Sequence, residues 1–116
     1  MKFEEFVTKF KANLDYSKTG MILFHNGIVR GVSRDGEKVN KLLIRKNNEK
    51  ILEIIKEFSL KKGISKVDVE VFEGEFSIGE NLMYAGVAGD IRDNVFPALE
   101  GLVNKIKKEA VFKEEL

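Results

Sequence analysis

The sequence predicts an α+β domain, a mostly antiparallel sheet with helices. Two observations lead to this prediction. Three segments carry apolar residues at helical spacing, whereas the segments between them alternate or run apolar as strands do. The predicted elements follow in the order α-β-β-α-β-β-α, in which strands come in pairs joined by helices. A length of 116 residues, with no internal repeat or linker, fits a single domain spanning 1–116.

The first predicted element is an amphipathic helix. It stops in the polar run 15–20, and its charged residues lie off the apolar stripe. The stripe at helical spacing consists of Phe3, Phe6, Val7, Phe10 and Leu14. One face of this helix is therefore expected to pack on the sheet.

Two strands are predicted after this helix. The apolar run 21–24 indicates a buried strand, interrupted at 26–27 and resumed up to Arg30. A glycine inside a strand often marks a bulge or a close approach to the backbone. Residues 31–36 are expected to form a loop, and 38–45 the returning strand.

The second helix is expected to be capped by Asn47 or Asn48 and to stop at Gly63. Its apolar face consists of Ile51, Ile54, Ile55 and Phe58. Alternation over 67–71 predicts a half-exposed strand. The acidic stretch 73–80 is assigned no element, and residues 81–88 form a further predicted strand.

The last helix is expected to be capped by Asp90 or Asp93. Its predicted apolar stripe consists of Phe96, Leu99, Leu102, Val103 and Ile106. Pro97 favours a start near Asp93, because a start at Ile91 would leave it in the helix interior at a cost of about 3 kcal/mol. The tail 110–116 is either a short strand or a frayed end.

Composition excludes several kinds of chemistry. The chain has no Cys and a single His, so disulfides, thiolate metal sites, a Cys nucleophile and a multi-His site are ruled out, and we expect no cofactor. Charged residues make up 34% of the chain, but the net charge is only +1, which argues against nucleic acid as a partner. Dense, balanced charge with little Pro is typical of cytoplasmic thermophile proteins. No run is long enough to span a membrane.

Arg30 and Arg92 are candidate anion-binding residues. Arg30 ends an apolar strand between two glycines, so its guanidinium could meet a phosphate or carboxylate with little shielding. The alternative is a surface arginine at a strand end. Arg92 follows a strand–helix junction that offers free backbone N–H groups to an anion. The alternative there is an ordinary capped helix start, in which Asp90 occupies the anion position.

Lys107 is a candidate acid, base or nucleophile. It flanks the apolar stripe of the last helix, unlike Lys105 and Lys108, and a lysine at an apolar margin can have a lowered pKa. The alternative is a buried stem with the charge in water. His25 is interpreted as a partly buried strand residue rather than a catalytic base.

Charge is unevenly distributed along the chain. Residues 30–46 are mostly basic, whereas the acidic residues of 68–80 have no Lys or Arg among them. The basic segment favours an anionic ligand. The alternative is two solvated faces.

Three stretches of the chain resemble the large, catalytic subunit of molybdopterin synthase, the MoaE family. Residues 20–31 resemble its apolar strand ending in G-x-V-R, and 74–80 resemble its G-x-L-x-x-G-E turn. Residues 91–98 resemble its H-R-x-x-A-F-x-A helix, with Lys107 and the tail 112–114 matching its later lysine and W-K-x-E motifs. These motifs occur in the family's order and span most of the chain.

The resemblance implies a MoaE-like fold of the α/β-hammerhead type and a homodimer. It implies that a small ubiquitin-like carrier, ending in Gly-Gly, delivers sulfur as a thiocarboxylate to cyclic pyranopterin monophosphate in molybdenum cofactor biosynthesis. Arg30 and Arg92 would then bind the substrate phosphate or the carrier tail. Lys107 would lie at the sulfur-transfer centre, and Lys113 would be a second active-site lysine.

Two alternatives to the enzyme stay open. The first is a MoaE-like binding module that has lost catalysis, motivated by Ile91 at the family's His position and by a tail without Trp. The second is a small regulatory dimer that binds a protein partner through the acidic run 68–80.

Overall fold

The computed structural model describes residues 1–32, 34–38 and 40–116 of the chain. Its helices and strands, in chain order, are α1 (Phe3–Ala12), β1 (Met21–Ile28), β2 (Lys41–Lys46), α2 (Asn48–Ser59), β3 (Ile64–Val71), β4 (Gly74–Ser77), β5 (Asn81–Gly89), α3 (Arg92–Glu109) and β6 (Val111–Glu115). The predicted α+β class with antiparallel strands is confirmed.

The larger of two three-stranded sheets has the order β1-β5-β3, with β5 in the centre. Both neighbours of β5 run antiparallel to it. Side chains alternate between the two faces of a strand. Tyr84 and Ala88 therefore pack with Phe6 and Phe10 of α1, whereas Ala85 joins the core under α2 and α3. The sheet is consequently covered by helices on both faces.

The smaller sheet has the order β4-β2-β6, again antiparallel. Its central strand β2 alternates between exposed and buried residues, and Leu42 and Ile44 enter the main core. The two sheets thus share one apolar core although their strands do not pair within the part of the chain described.

The first strand is continuous where the sequence predicted an interruption. β1 passes through Asn26 and Gly27, and its register against β5 shifts between Gly27 and Ile28. The residue skipped by this shift is Leu82 of β5, so the irregularity lies opposite the glycine rather than at it. β2 begins at Lys41 rather than at 38, and the predicted loop 31–36 and strand 38–45 include Ser33 and Val39, which lie outside the described residues.

The acidic stretch 73–80 contains a strand that the sequence analysis left out. β4 pairs with β2, and Phe76, opposite Leu42, is its only half-buried residue. A short, mostly exposed strand with one apolar residue carries no apolar alternation. The tail, left open between strand and frayed end, is β6.

The last helix begins at Arg92, one residue from the predicted start near Asp93, but the predicted cap is wrong. Ile91, rather than Asp90 or Asp93, is the N-cap, and Pro97 lies inside α3. The Asp90 carboxylate instead accepts hydrogen bonds from Ile91 N at 2.7 Å and Asn94 Nδ2 at 2.8 Å, so it braces the residues around the cap. Because Pro97 is exposed, water can reach the carbonyl that its missing N–H leaves unpaired.

The apolar stripe of α3 is also shifted from the prediction. Phe96 is 54% exposed, whereas Val95, Ala98, Leu102 and Ile106 are buried. The predicted cap of α2 is confirmed, since the Asn47 side chain accepts from Lys50 N. Among the described residues, no helix is long and apolar enough to cross a membrane.

Candidate functional site

A cavity of about 420 Å³ lies where the two sheets meet. Residues of β1, β3 and β5 line it from the larger sheet, and residues of β2 and β6 line it from the smaller one. Its charged and titratable lining residues are His25, Arg30, Arg34, Lys107, Lys113 and Glu115. Four cations and one carboxylate make this a positively charged site with an apolar floor.

Arg30 is held at the cavity by the backbone just before it. Val29 is buried, its N–H donates to the Glu80 carbonyl, and its own carbonyl accepts from Gly79 N, both at 3.0 Å. Two segments that are distant in the sequence, 20–31 and 74–80, therefore meet in space. These contacts fix the backbone position from which the Arg30 side chain extends.

Lys107 and Lys113 are brought to the cavity by a tight connection between α3 and β6. Ala110 caps α3 through its N–H bond to the Ile106 carbonyl, and its own carbonyl accepts from Asn47 N at 2.9 Å. Ala110 is fully buried, and β6 then pairs with β2 so that Lys113 lies opposite Ile44. Both lysines consequently line the same cavity.

The electrostatics of the cavity disfavour charge on Lys107. Partial burial lowers the pKa of Lys107 below its ordinary value of 10.5, and the positive charge of Lys113 lowers that pKa further. Arg34 and Arg30 contribute smaller effects in the same direction. A lowered pKa raises the fraction of Lys107 that is neutral at a given pH.

His25 faces this site from β1. It is half-buried, as predicted, but it also lines the cavity, which the sequence analysis did not anticipate. Burial lowers the pKa of its imidazole, and the charge of Lys107 adds to this effect. The imidazole is thus held in its neutral form over a wider pH range.

Arg92 does not join the other predicted site residues within one chain. It is the first residue of α3 and is exposed, whereas Lys107 lies near the other end of the same helix. A separation of 15 residues in an α-helix corresponds to about 22 Å. At the start of α3, the Asp90 carboxylate accepts from Ile91 N and Asn94 Nδ2, and no side chain caps the helix.

Other charged residues considered at the sequence level have structural partners. Lys105 donates to Glu57 at 2.7 Å and so links α3 to α2 instead of pointing away into solvent. Lys46 Nζ donates to the Val71 carbonyl at 2.8 Å. In the acidic run, Glu73 and Glu80 carboxylates accept backbone N–H bonds from Lys46 and Ser77. Of the basic residues described in the segment 30–46, Arg30 and Arg34 line the cavity, whereas Lys38, Lys41, Arg45 and Lys46 do not.

Arg34 and His25 are the site residues that sequence reasoning missed. Arg34 lay in a predicted loop, and His25 gave no signal beyond its place in an apolar strand. Over residues 1–32, 34–38 and 40–116, no group of three or more His, Cys, Asp or Glu side chains is placed to hold a metal ion.

The fold and the cavity define a small α+β protein with a cationic cavity between two antiparallel sheets. The family model described as MoaE protein matches residues 2–109, and the chain therefore belongs to the MoaE family. A comparison with curated protein sequences gave no match.

Solved structures share the fold. Molybdopterin synthase from Staphylococcus aureus superposes with a TM-score of 0.80 at 21% identity, covering 100% of this chain and 85% of that one. The molybdopterin biosynthesis MoaE protein from Burkholderia ambifaria gives 0.79 at 18% identity, with 99% and 76% covered. A complex of subunits 1 and 2 of molybdopterin-converting factor from Helicobacter pylori gives 0.77 at 17% identity, with 100% and 79% covered.

Proposed function

We propose that this MoaE family member, as a single domain over 1–116, is the catalytic subunit of a molybdopterin synthase. It transfers sulfur from the thiocarboxylated Gly-Gly end of a small carrier subunit to cyclic pyranopterin monophosphate. The observation that carries the proposal is the convergence of Arg30, Lys107 and Lys113 on one cavity at the meeting of the two sheets.

In this reaction, Arg30 binds the substrate phosphate or the carboxylate end of the carrier. A guanidinium offers paired N–H donors that match the geometry of such oxygens. Lys107 holds or moves a proton at the reacting sulfur, since its lowered pKa raises its neutral fraction near neutral pH. Lys113 contributes the second cation and, through its charge, tunes Lys107.

The carrier explains how a chain without Cys handles sulfur, because the sulfur arrives on the partner. The Helicobacter pylori structure, a complex of two subunits, supports a small-subunit partner for this chain as well. A volume of about 420 Å³ is sufficient for a small heterocyclic ligand.

We further propose a homodimer in which Arg92 reaches the cavity of the second copy. Ile91 and Phe96, on either side of Arg92 in the sequence, are 55% and 54% exposed. Exposed apolar side chains beside a charged one are typical of an interface. The separation along α3 prevents Arg92 from serving the cavity of its own chain.

Reconstitution tests this function. The purified chain is mixed with thiocarboxylated carrier and cyclic pyranopterin monophosphate, and the dithiolene product is measured by mass spectrometry. The control is the same carrier with an ordinary carboxylate end, which brings no sulfur. We expect product only with the thiocarboxylate. Carrier binding without product would favour a binding module that has lost catalysis. The absence of both binding and product would overturn the enzyme and the binding module alike.

A further inference from the structure

Two buried polar atoms of residues that line the cavity, His25 Nε2 and Asn26 Oδ1, have no hydrogen-bond partner among the described residues, and the first lies on the Lys107 side of β1. His25 shares its face of β1 with Leu23, which packs in the core under α2 and α3, so the imidazole points to the Lys107 side of the sheet. A buried polar atom without a partner destabilises a fold, so it calls for an explanation.

Space beside this nitrogen is kept open by a glycine. Gly27 follows on the same face of β1 and also lines the cavity. A Cβ at this position would lie 3.3 Å from His25 Nε2 and 3.1 Å from Met83 Cγ. Because position 27 has no side chain, an atom of a ligand can come within hydrogen-bond distance of Nε2.

The charges around the cavity decide which hydrogen-bonding role Nε2 takes. A neutral imidazole carries its proton on one nitrogen and a lone pair on the other. Lys107, Arg30 and the remaining cations, Arg34 and Lys113, make the potential in the cavity positive, with Glu115 as the opposing charge. A lone pair is stabilised by a positive potential and an N–H is not. Nε2 is therefore an acceptor.

We propose that His25 is a substrate-binding residue whose Nε2 accepts a hydrogen bond from an N–H group of a heterocycle bound in the cavity. This inference rests on the proposed function, since a pterin carries ring N–H and amino donors at one end and its phosphate at the other. The cations then hold the phosphate, and His25 orients the ring. The pKa of His25, lowered by burial and by Lys107, keeps the acceptor available.

Two substitutions of His25 separate binding from folding. His25→Phe keeps a planar ring but removes the acceptor, and His25→Gln keeps an amide oxygen at similar reach. We expect His25→Phe to raise KM for cyclic pyranopterin monophosphate roughly tenfold, because a buried donor of the substrate loses its partner. His25→Gln should stay within about threefold of the wild type. His25→Phe should melt no lower than the wild type, since it replaces an unpaired buried polar atom with apolar surface.

A second measurement does not depend on turnover. His25 is the only histidine, so its imidazole ¹⁵N resonances are unambiguous in tag-free protein. We expect cyclic pyranopterin monophosphate to shift the Nε2 resonance toward its hydrogen-bonded position. Inorganic phosphate, which fills the cationic part of the site but has no N–H donor, should leave it nearly unchanged.

The outcomes distinguish this inference from the proposed function. Wild-type turnover with an unchanged KM in His25→Phe overturns the role of His25 and leaves the function standing. Absence of wild-type turnover overturns the function, and the Nε2 resonance then still decides the inference. No shift of that resonance with the pterin, or equal shifts with pterin and phosphate, contradicts it.

Discussion

His25 on β1 lies within electrostatic reach of Lys107 on α3, and the two residues line one cavity. Burial and, after it, the charge of Lys107 lower the pKa of the imidazole. Lys107 is itself subject to partial burial and to the charge of Lys113, which lower its pKa in turn. The site therefore contains two nitrogen bases whose neutral forms are both favoured by their surroundings.

Lys107→Ala is expected to abolish sulfur transfer while the fold is retained. The substitution removes the proposed proton-transfer group, whereas a partly buried cation among other cations adds nothing to stability. Product formation and circular dichroism are measured on the same preparation. Lys108→Ala is the matched control, because Lys108 is the exposed neighbour on α3 and does not line the cavity. Product formation near the wild-type rate in Lys107→Ala would contradict the assigned role.

Arg30→Ala should weaken binding of inorganic pyrophosphate roughly tenfold or more, the effect of losing a charge-assisted hydrogen bond. Isothermal titration calorimetry at two salt concentrations checks this expectation, and the loss should shrink at high salt. Arg45→Ala is the control, since Arg45 is exposed on β2 and lies outside the cavity lining. Equal losses in the two variants would point to general surface charge rather than to a site.

Arg92 and Lys107 should complement each other between chains. If Arg92 serves the cavity of the second copy, mixing inactive Arg92→Ala with inactive Lys107→Ala creates heterodimers with one intact site. After subunit exchange, activity should return to about a quarter of the wild-type value, since half of the dimers are mixed and each has one good site. Mixtures that stay as inactive as their components, with exchange verified, would exclude this arrangement.

His25 should make stability depend on pH below neutrality. Its ordinary pKa is about 6.5, and its pKa in the folded chain is lower. Between these two values the unfolded chain binds more protons, so stability rises with pH across this window and is lost as pH falls through it. Urea unfolding of the wild type and of His25→Phe at several pH values isolates the contribution of His25 ionisation to the free energy of unfolding. The difference between their free energies of unfolding should change as pH falls below about 6.5. A difference independent of pH would contradict the lowered pKa.

Gly86→Ala should destabilise the fold by about 1–3 kcal/mol through overpacking. A Cβ at position 86, on the α1 face of β5, would lie 2.8 Å from Phe10 Cε2 and 3.1 Å from Phe24 Cδ1. Thermal and urea unfolding measure the loss. Gly31→Ala is the control, because its Cβ would meet only Ile78 Cδ1 at an ordinary 3.5 Å. Equal stability of the two variants would show that α1 can shift without cost.

The sequence predicted elements best where apolar periodicity was strong. The stripes of α1 and α2 and the cap at Asn47 needed only local information. β4 was missed because a short, mostly exposed strand is stabilised by its partner β2. The cap of α3 was misassigned because the Asp90 carboxylate accepts from Asn94 instead of capping the helix. The local pattern of apolar and polar residues does not reveal such tertiary contacts.

Only the part of the candidate site that depends on local sequence could be predicted. Lys107 could be singled out from its position beside the apolar stripe. The proximity of Lys113 depends on the register of β6 against β2, and the proximity of His25 depends on how α3 crosses the larger sheet. Neither relation is a property of neighbouring residues in the sequence.

The position of the cavity between the two sheets has a thermodynamic consequence. Within the described ranges, the strands of one sheet do not pair with those of the other, so the shared core and the cavity walls join them. A ligand seated there contacts both sheets, and by mass action its binding free energy opposes their separation. Ligand binding would therefore stabilise the packing of the two sheets against each other. The measured affinity would include the free energy of fixing their relative orientation.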